Sequence, residues 1–130
     1  FGFGQGQELS EHTASKPAGD ALKPSITYDD FSALDIRVAK VLEASRVPKT
    51  DKLLRLKVDI GSEVRELVAG IAESYEPEQL LGLSVAMVVN LEPRKIRGIE
   101  SRGMILAVHS EGTLTVVGPQ DPCLPGSVIK

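Results

Sequence analysis

Residues 90–108 read Asn-Leu-Glu-Pro-Arg-Lys-Ile-Arg-Gly-Ile-Glu-Ser-Arg-Gly-Met-Ile-Leu-Ala-Val. The apolar run over residues 85–91 predicts a buried strand, and Glu92-Pro93 ends it, because proline brings no N–H to a ladder. A second apolar run, residues 104–108, predicts the next strand. Between the two lie Arg94, Lys95, Arg97 and Arg102 against Glu92 and Glu100, a local charge of +2 in a chain whose total is −3. A cationic loop held at both ends by strands has the electrostatic footprint of phosphate contacts. The same charge also fits a solvated hairpin tip, so charge alone does not decide between the two.

With 130 residues and 42% hydrophobic content, one domain with one compact core is expected. The balance of 15 basic to 18 acidic residues excludes a globally basic binder, so any nucleic-acid contact must come from a local patch. Cys123 is the only cysteine, which excludes an internal disulfide or a thiolate metal cluster. No apolar run is long enough to span a bilayer and no signal-peptide pattern is present. A soluble, cytoplasmic protein is expected.

Residues 1–25 carry Gly2, Gly4, Gly6, Gly19, Pro17 and Pro24 without helical or strand period, the composition of a flexible linker. Gly2-x-Gly4-x-Gly6 has neither a preceding strand nor a following helix to make it a phosphate-cradling loop. The start at Phe1 rather than Met suggests a fragment or processed product, so the folded domain is expected over residues 26–130.

From Ile26 onward the pattern is mostly β. Tyr28-Asp29-Asp30-Phe31 predicts a short capped helical turn leading into Asp35-Ile36-Arg37-Val38. Leu54, Leu56, Val58 and Ile60 alternate with Arg55, Lys57 and Asp59, the period of a half-buried strand. Residues 60–63 turn the chain into a third strand over 64–71. Pro77 stands at a first helical position and Gly82 closes the short helix that follows. Strands over 85–91 and 104–108 come next, with a further strand starting at Leu114-Val116. Five core strands with a helix between the third and fourth predict an all-β, five-stranded OB-fold barrel with short helices and a C-terminal β extension. In that fold the loops after strands one and four border the usual ligand surface.

The loop after strand one, Arg46-Val47-Pro48-Lys49-Thr50-Asp51-Lys52, sets three cations against Asp51. Both loops that an OB-fold uses for polyanions are therefore basic, while Glu73, Glu76 and Glu78 gather near the short helix. That coincidence of charge with the binding edge favours nucleic acid over a solvated tip.

The chain also resembles the tRNA-binding domain family. The resemblance rests on Asp35-Ile36-Arg37-Val38, Asp51-Lys52-Leu53, Val58-Asp59, Ala69-Gly70-Ile71 and Tyr75-x-Pro77-Glu78. It continues through Asn90-Leu91-x-Pro93-Arg94-Lys95 to Gly98-x-x-Ser101-x-Gly103-Met104, so the motifs run in order along residues 26–130. Members of that family include appended C-terminal domains of methionyl-tRNA synthetases, free-standing tRNA-binding proteins, a secretion chaperone and a cytokine-like polypeptide. The resemblance implies an OB-fold that binds the outside corner of folded tRNA without reading an anticodon, commonly as a homodimer. The spacer from Lys16-Pro17 to Lys23-Pro24 resembles a tether to a synthetase body upstream. The appended synthetase domain is accordingly the expected role; a free-standing tRNA binder and a chaperone-like polypeptide binder are the alternatives.

Arg94, Lys95 and Arg97 are the first candidates for phosphate contacts, with Arg102 in the same loop; Lys49, Lys52 and Arg55 come second. Asn90 either caps strand four or donates to sugar or phosphate. The resemblance places Ser101 and Met104 at the RNA-facing edge, although Met104 also suits a core. Asp35 and Asp51 read as loop-ordering acceptors, since no base is paired with either. No third ligand stands beside His12 or His109, so no metal is expected. No nucleophile motif occurs, and neither a catalytic residue nor a cofactor is expected in the domain itself. Cys123 reads as a loop residue packed against the barrel.

Outside the linker the aromatics are Tyr28, Phe31 and Tyr75, none on strands two or three. Binders of single strands rely on aromatic stacking, worth about 1–3 kcal/mol per base. Recognition through phosphate, sugar and shape is expected instead, which suits folded RNA. Strand four, Val85-Ala86-Met87-Val88-Val89, is apolar on both faces. One face lines the barrel; the other needs cover from the C-terminal segment or from a partner chain. A two-fold homodimer is the expected arrangement.

Overall fold

A computed structural model describes residues 21–130. The linker reading of residues 1–20, with Gly2-x-Gly4-x-Gly6 and His12, lies outside the described residues, and residues 21–25 are exposed and carry no element.

Helix α1 (Tyr28–Ser32) is five residues long and starts at a capping box: the Asp30 N–H donates to Thr27 Oγ1 and the Thr27 N–H to Asp30 Oδ2. Strand β1 (Ile36–Arg46) is the spine of the sheet. It pairs antiparallel with β2 (Leu54–Asp59) along one half and with β4 (Ser84–Val88) along the other. A bulge between Val41 and Glu43 bends it so that both partners fit the curl. Strand β3 (Val64–Ala69) continues the sheet beyond β2, and β7 (Met104–Ile105) beyond β4. The resulting order β3-β2-β1-β4-β7, with helix α2 (Pro77–Leu80) between β3 and β4, is the expected OB-like curled sheet.

Closure does not use a ladder. Strand β3 lies against β6 (Ile99–Ser101) and β7. The joint is made by the Val68 N–H donating to Ser101 Oγ (3.0 Å) and the Arg102 N–H donating to the Glu66 carbonyl (3.0 Å).

The predicted alternation holds through β2: Leu54, Leu56 and Val58 are buried while Arg55 and Lys57 are exposed. With Leu67, Leu80, Val41, Val85 and Met87 they form the barrel core. Fully burying each large side chain contributes about 1.5–3 kcal/mol. Tyr75 packs against this core and its hydroxyl accepts from the Val116 N–H at 3.0 Å.

Three expectations are corrected. The basic stretch predicted as an open loop is a hairpin, β5 (Arg94–Ile96) paired with β6. The single strand predicted over residues 104–108 is two, β7 and β8 (Ala107–Ser110); β8 leaves the barrel to pair with β9 (Thr113–Val116). The break falls at Leu106, whose N–H donates to Ala86 while its carbonyl accepts from Val117. Cys123 is exposed rather than packed on the barrel.

Strand four is covered by its own chain. Ile36 and Val38 on β1 pair with Val88 and Ala86 on β4, and all four are buried. The C-terminal segment is bonded onto this region: the Ala86 N–H donates to Val117, the Val38 N–H to Ser127 and the Gly126 N–H to Val38. Strand β10 (Val128–Ile129) then pairs with the start of β1. The approach requires glycine. A Cβ on Gly126 falls 2.5 Å from the Ile60 carbonyl oxygen, and one on Gly61 falls 2.7 Å from that of Pro125. The C-terminal segment, one of the two covers expected for strand four, is thus bonded onto this region.

Candidate nucleic-acid interface

The hairpin β5–β6 turns through Arg97-Gly98, with φ of 52° and 81°. Positive φ at both central residues is the signature of the two-residue turns that match strand twist. The turn holds Arg97 at the tip, with Arg94 and Lys95 exposed on the strand behind it.

The loop between β1 and β2 is ordered from within. Val47 is buried, its N–H donates to the Leu53 carbonyl, and the Lys52 carbonyl accepts from the Ala72 N–H. Thr50 Oγ1 accepts from the N–H groups of Lys52 (3.3 Å) and Leu53 (3.1 Å), a hydroxyl-capped turn. Lys49 has φ of 67°.

The two basic segments meet. Lys49, Thr50, Asp51, Lys52, Leu53 and Arg97 line one open cleft of about 380 Å³. Among the described residues, Lys49, Lys52, Arg94, Lys95 and Arg97 make no ion pair. Their charge is available to an incoming polyanion.

Other predicted cations are already engaged. Arg55 Nε donates to Glu66 Oε2 at 2.5 Å, which holds the Glu66 carboxyl below the usual carboxylate range and raises the Arg55 guanidinium. Arg102 lies 3.8 Å from Glu63, whose carboxyl is lowered first by its bond to Arg65 and then by Arg102. Arg46, predicted in the loop, belongs to β1 and pairs with Glu76 at 2.9 Å.

Asn90 spends its amide internally. Its Oδ1 accepts from the Asp35 N–H (2.8 Å) and its Nδ2 donates to the Ala33 carbonyl (2.7 Å), clamping the end of α1 to the end of β4. Ser101 is buried and its hydroxyl accepts from Val68, so it seats the hairpin from inside. Asp35 accepts from Arg37 Nε at 2.8 Å, in keeping with a loop-ordering role.

Met104 is half exposed and not core. It lines a cleft of about 460 Å³ with Val68, Leu91, Glu92, Pro93, Arg94, Ile96, Ser101 and Gly103. Sequence reading missed this cleft and the place of Glu92 in its lining, because only the hairpin fold brings Ile96 and Met104 to one place. It missed Glu66 as the partner of Arg55 as well. The signal was available: Arg55 opposes Val68 across β2–β3, so Glu66 is its diagonal neighbour on the same face.

Residues 36–128 match the family described as "Putative tRNA binding domain". A methionine–tRNA ligase from Chloroherpeton thalassium is 54% identical over 112 residues, which cover 85% of this chain and 16% of that protein. One from Bacteroides fragilis is 48% identical over 126 residues, covering 94% of this chain and 19% of the relative. The chain thus spans less than a fifth of the length of either ligase. A MetRS-related protein from Pyrococcus horikoshii superimposes with a TM-score of 0.79 at 33% identity, over 83% of this chain and 100% of that structure. The CsaA chaperone from Bacillus anthracis does so with 0.75 at 28% identity, over 82% of this chain and 100% of that structure. With its OB-like barrel and its match over residues 36–128, the chain belongs to the tRNA-binding domain family.

Proposed function

We propose that residues 26–130 bind folded tRNA as the domain appended to the C-terminal end of a cytoplasmic methionine–tRNA ligase, with residues 1–25 as tether to the catalytic body. One observation carries the proposal: two basic segments far apart in sequence converge on one cleft, and among the described residues the cations Lys49, Lys52, Arg94, Lys95 and Arg97 are unpaired while neighbouring ones are not. Lys49, Lys52, Arg94, Lys95 and Arg97 contact phosphates; Arg55 and Arg102 join only when their acids release them. No aromatic stands on β2 or β3 to stack single-stranded bases. Competition by unrelated folded tRNAs and by a single-stranded oligonucleotide of equal length tests the proposal. Similar affinity for all folded tRNAs and weak affinity for the oligonucleotide are expected; preference for the oligonucleotide refutes it.

The domain acts as a homodimer. Support comes from α1, which has no buried residue and leaves Tyr28 and Phe31 exposed, with Leu34 exposed just after it. A five-residue helix has little stability without tertiary cover, and a two-fold copy supplies it. Sedimentation of the chain at micromolar concentration checks this; a monomer refutes it.

A second reading, binding of unfolded polypeptide, draws on the likeness to the CsaA structures and on the apolar walls of the Met104 cleft.

A further inference from the structure

The cleft at the root of the β5–β6 hairpin differs from the cationic cleft at its tip. Its walls are mainly apolar, Val68, Ile96 and Met104 among them, and its volume of about 460 Å³ falls in the range of small-ligand sites. Phosphate has no use for such walls. Glu92, also lining it, is out of place in a phosphate site, because a carboxylate there repels the ligand. Among the described residues Glu92 makes no ion pair, although Arg94 lines the same cleft. An apolar slot with an unpaired acceptor at one side and the Arg94 guanidinium beside it matches one kind of ligand group: a flat heterocycle bearing N–H donors, attached to phosphate.

We infer that the Val68–Ile96–Met104 cleft takes a single unstacked guanine of the bound RNA, with Glu92 accepting from its N1–H and exocyclic amino group while Arg94 holds the adjoining phosphate. This rests on the tRNA-binding reading above and adds a base subsite to it. Guanine is selected because it alone among the four bases offers two adjacent donors on one edge, which a carboxylate accepts together. Arg94, lining the cleft beside Glu92, disfavours a basic peptide, which Glu92 by itself would attract. Thioether and aliphatic contacts replace the aromatic stacking platform that the barrel lacks.

The test uses the full chain and methyl NMR. Guanosine monophosphate should shift the methyl signals of Met104, Ile96 and Val68, adenosine, cytidine and uridine monophosphates less, and inorganic phosphate not at all. Glu92→Gln should abolish the preference for guanosine. Met104 is half exposed, so Met104→Ala should leave the fold intact. Losing one base contact should weaken tRNA binding about five- to tenfold, with an unchanged dependence on salt because no phosphate contact is lost. Shifts equal for all nucleotides and for phosphate, or a shallower salt slope in Met104→Ala, overturn the inference. So does an apolar peptide that shifts the same methyls when nucleotides do not. If tRNA still binds with a steep salt slope while the cleft methyls stay silent, the base subsite alone is lost; if tRNA does not bind, the proposed function falls with it.

Discussion

Arg97 and Glu111 occupy equivalent positions in two separate hairpins. Each is the first residue of a two-residue turn, followed by glycine, with φ of 52° and 48°. Asparagine or glycine is usual at this position, because other L side chains are strained in the left-handed region. One hairpin carries its strained residue into the cationic cleft; the other does not.

Replacing each by asparagine separates strain from function. Asparagine is several-fold enriched at positive φ, a preference worth about 0.5–1 kcal/mol. Both Arg97→Asn and Glu111→Asn should therefore raise stability by that order in urea denaturation. Only Arg97→Asn should weaken tRNA binding, because only it removes a phosphate contact. Equal binding by the two variants would remove Arg97 from the interface.

The salt dependence of binding counts the phosphate contacts. Each lysine or arginine that neutralises a phosphate adds about one unit to the slope of log affinity against log salt. Changing Arg94, Lys95 and Arg97 to alanine should lower the slope by about 2–3 units for every folded tRNA alike. Arg55→Ala should change it little, since Glu66 already neutralises that guanidinium. Glu66→Gln should steepen the slope by up to about one unit by releasing Arg55. Filter binding across a salt series reads all of these.

Much of this architecture was legible in the sequence, for physical reasons. The alternation of Leu54, Leu56 and Val58 with Arg55 and Lys57 needs only a two-residue period, and β2 follows it. Pro77 and the Tyr28-Asp29-Asp30-Phe31 turn marked short helices through local bonding. The basic clusters were visible as charge. Their partners were not: whether Arg55 is free depends on register with β3, and whether Asn90 is free depends on Asp35 and Ala33, 55 and 57 residues away. Residues 94–101 carry no apolar alternation, so their pairing as β5–β6 was hidden, although Arg97-Gly98 is a turn signal. The fate of the outer face of strand four turned on where the last dozen residues dock, which no local pattern states.

Acid should loosen the joint between β2 and β3 and its contacts with the hairpin. Glu63 and Glu66 have folded-state values below the ordinary carboxylate range because they bond to Arg65 and Arg55. A depressed carboxylate contributes stability that is present above its unfolded value, about 4.3, and is lost as pH falls through the folded value. The urea midpoint should hold steady from neutral pH to about 5 and then decline. In Glu66→Gln the decline should be shallower, since one of the two linked groups is gone. An identical acid limb in the variant would show that Glu66 does not carry the effect.

Ser101 offers the sharpest separation between holding the interface and touching the ligand. Its buried hydroxyl accepts from the Val68 N–H and, with the Arg102-to-Glu66 bond beside it, fastens the hairpin to β3 where the sheet has no ladder. Ser101→Ala leaves that N–H without a partner, at a cost of about 1–3 kcal/mol. The loss should appear in urea denaturation and as faster amide exchange at Val68 and through β5–β6. Ser101→Thr, which keeps the hydroxyl, should recover part of it if the extra methyl fits beside Val68. Because no phosphate contact is removed, Ser101→Ala should lower tRNA affinity without changing the salt slope: the same five cations are present, three of them on a hairpin that must be ordered on binding. A lowered slope, with unaltered exchange at Val68, would show that Ser101 meets the RNA directly and does not act through the joint.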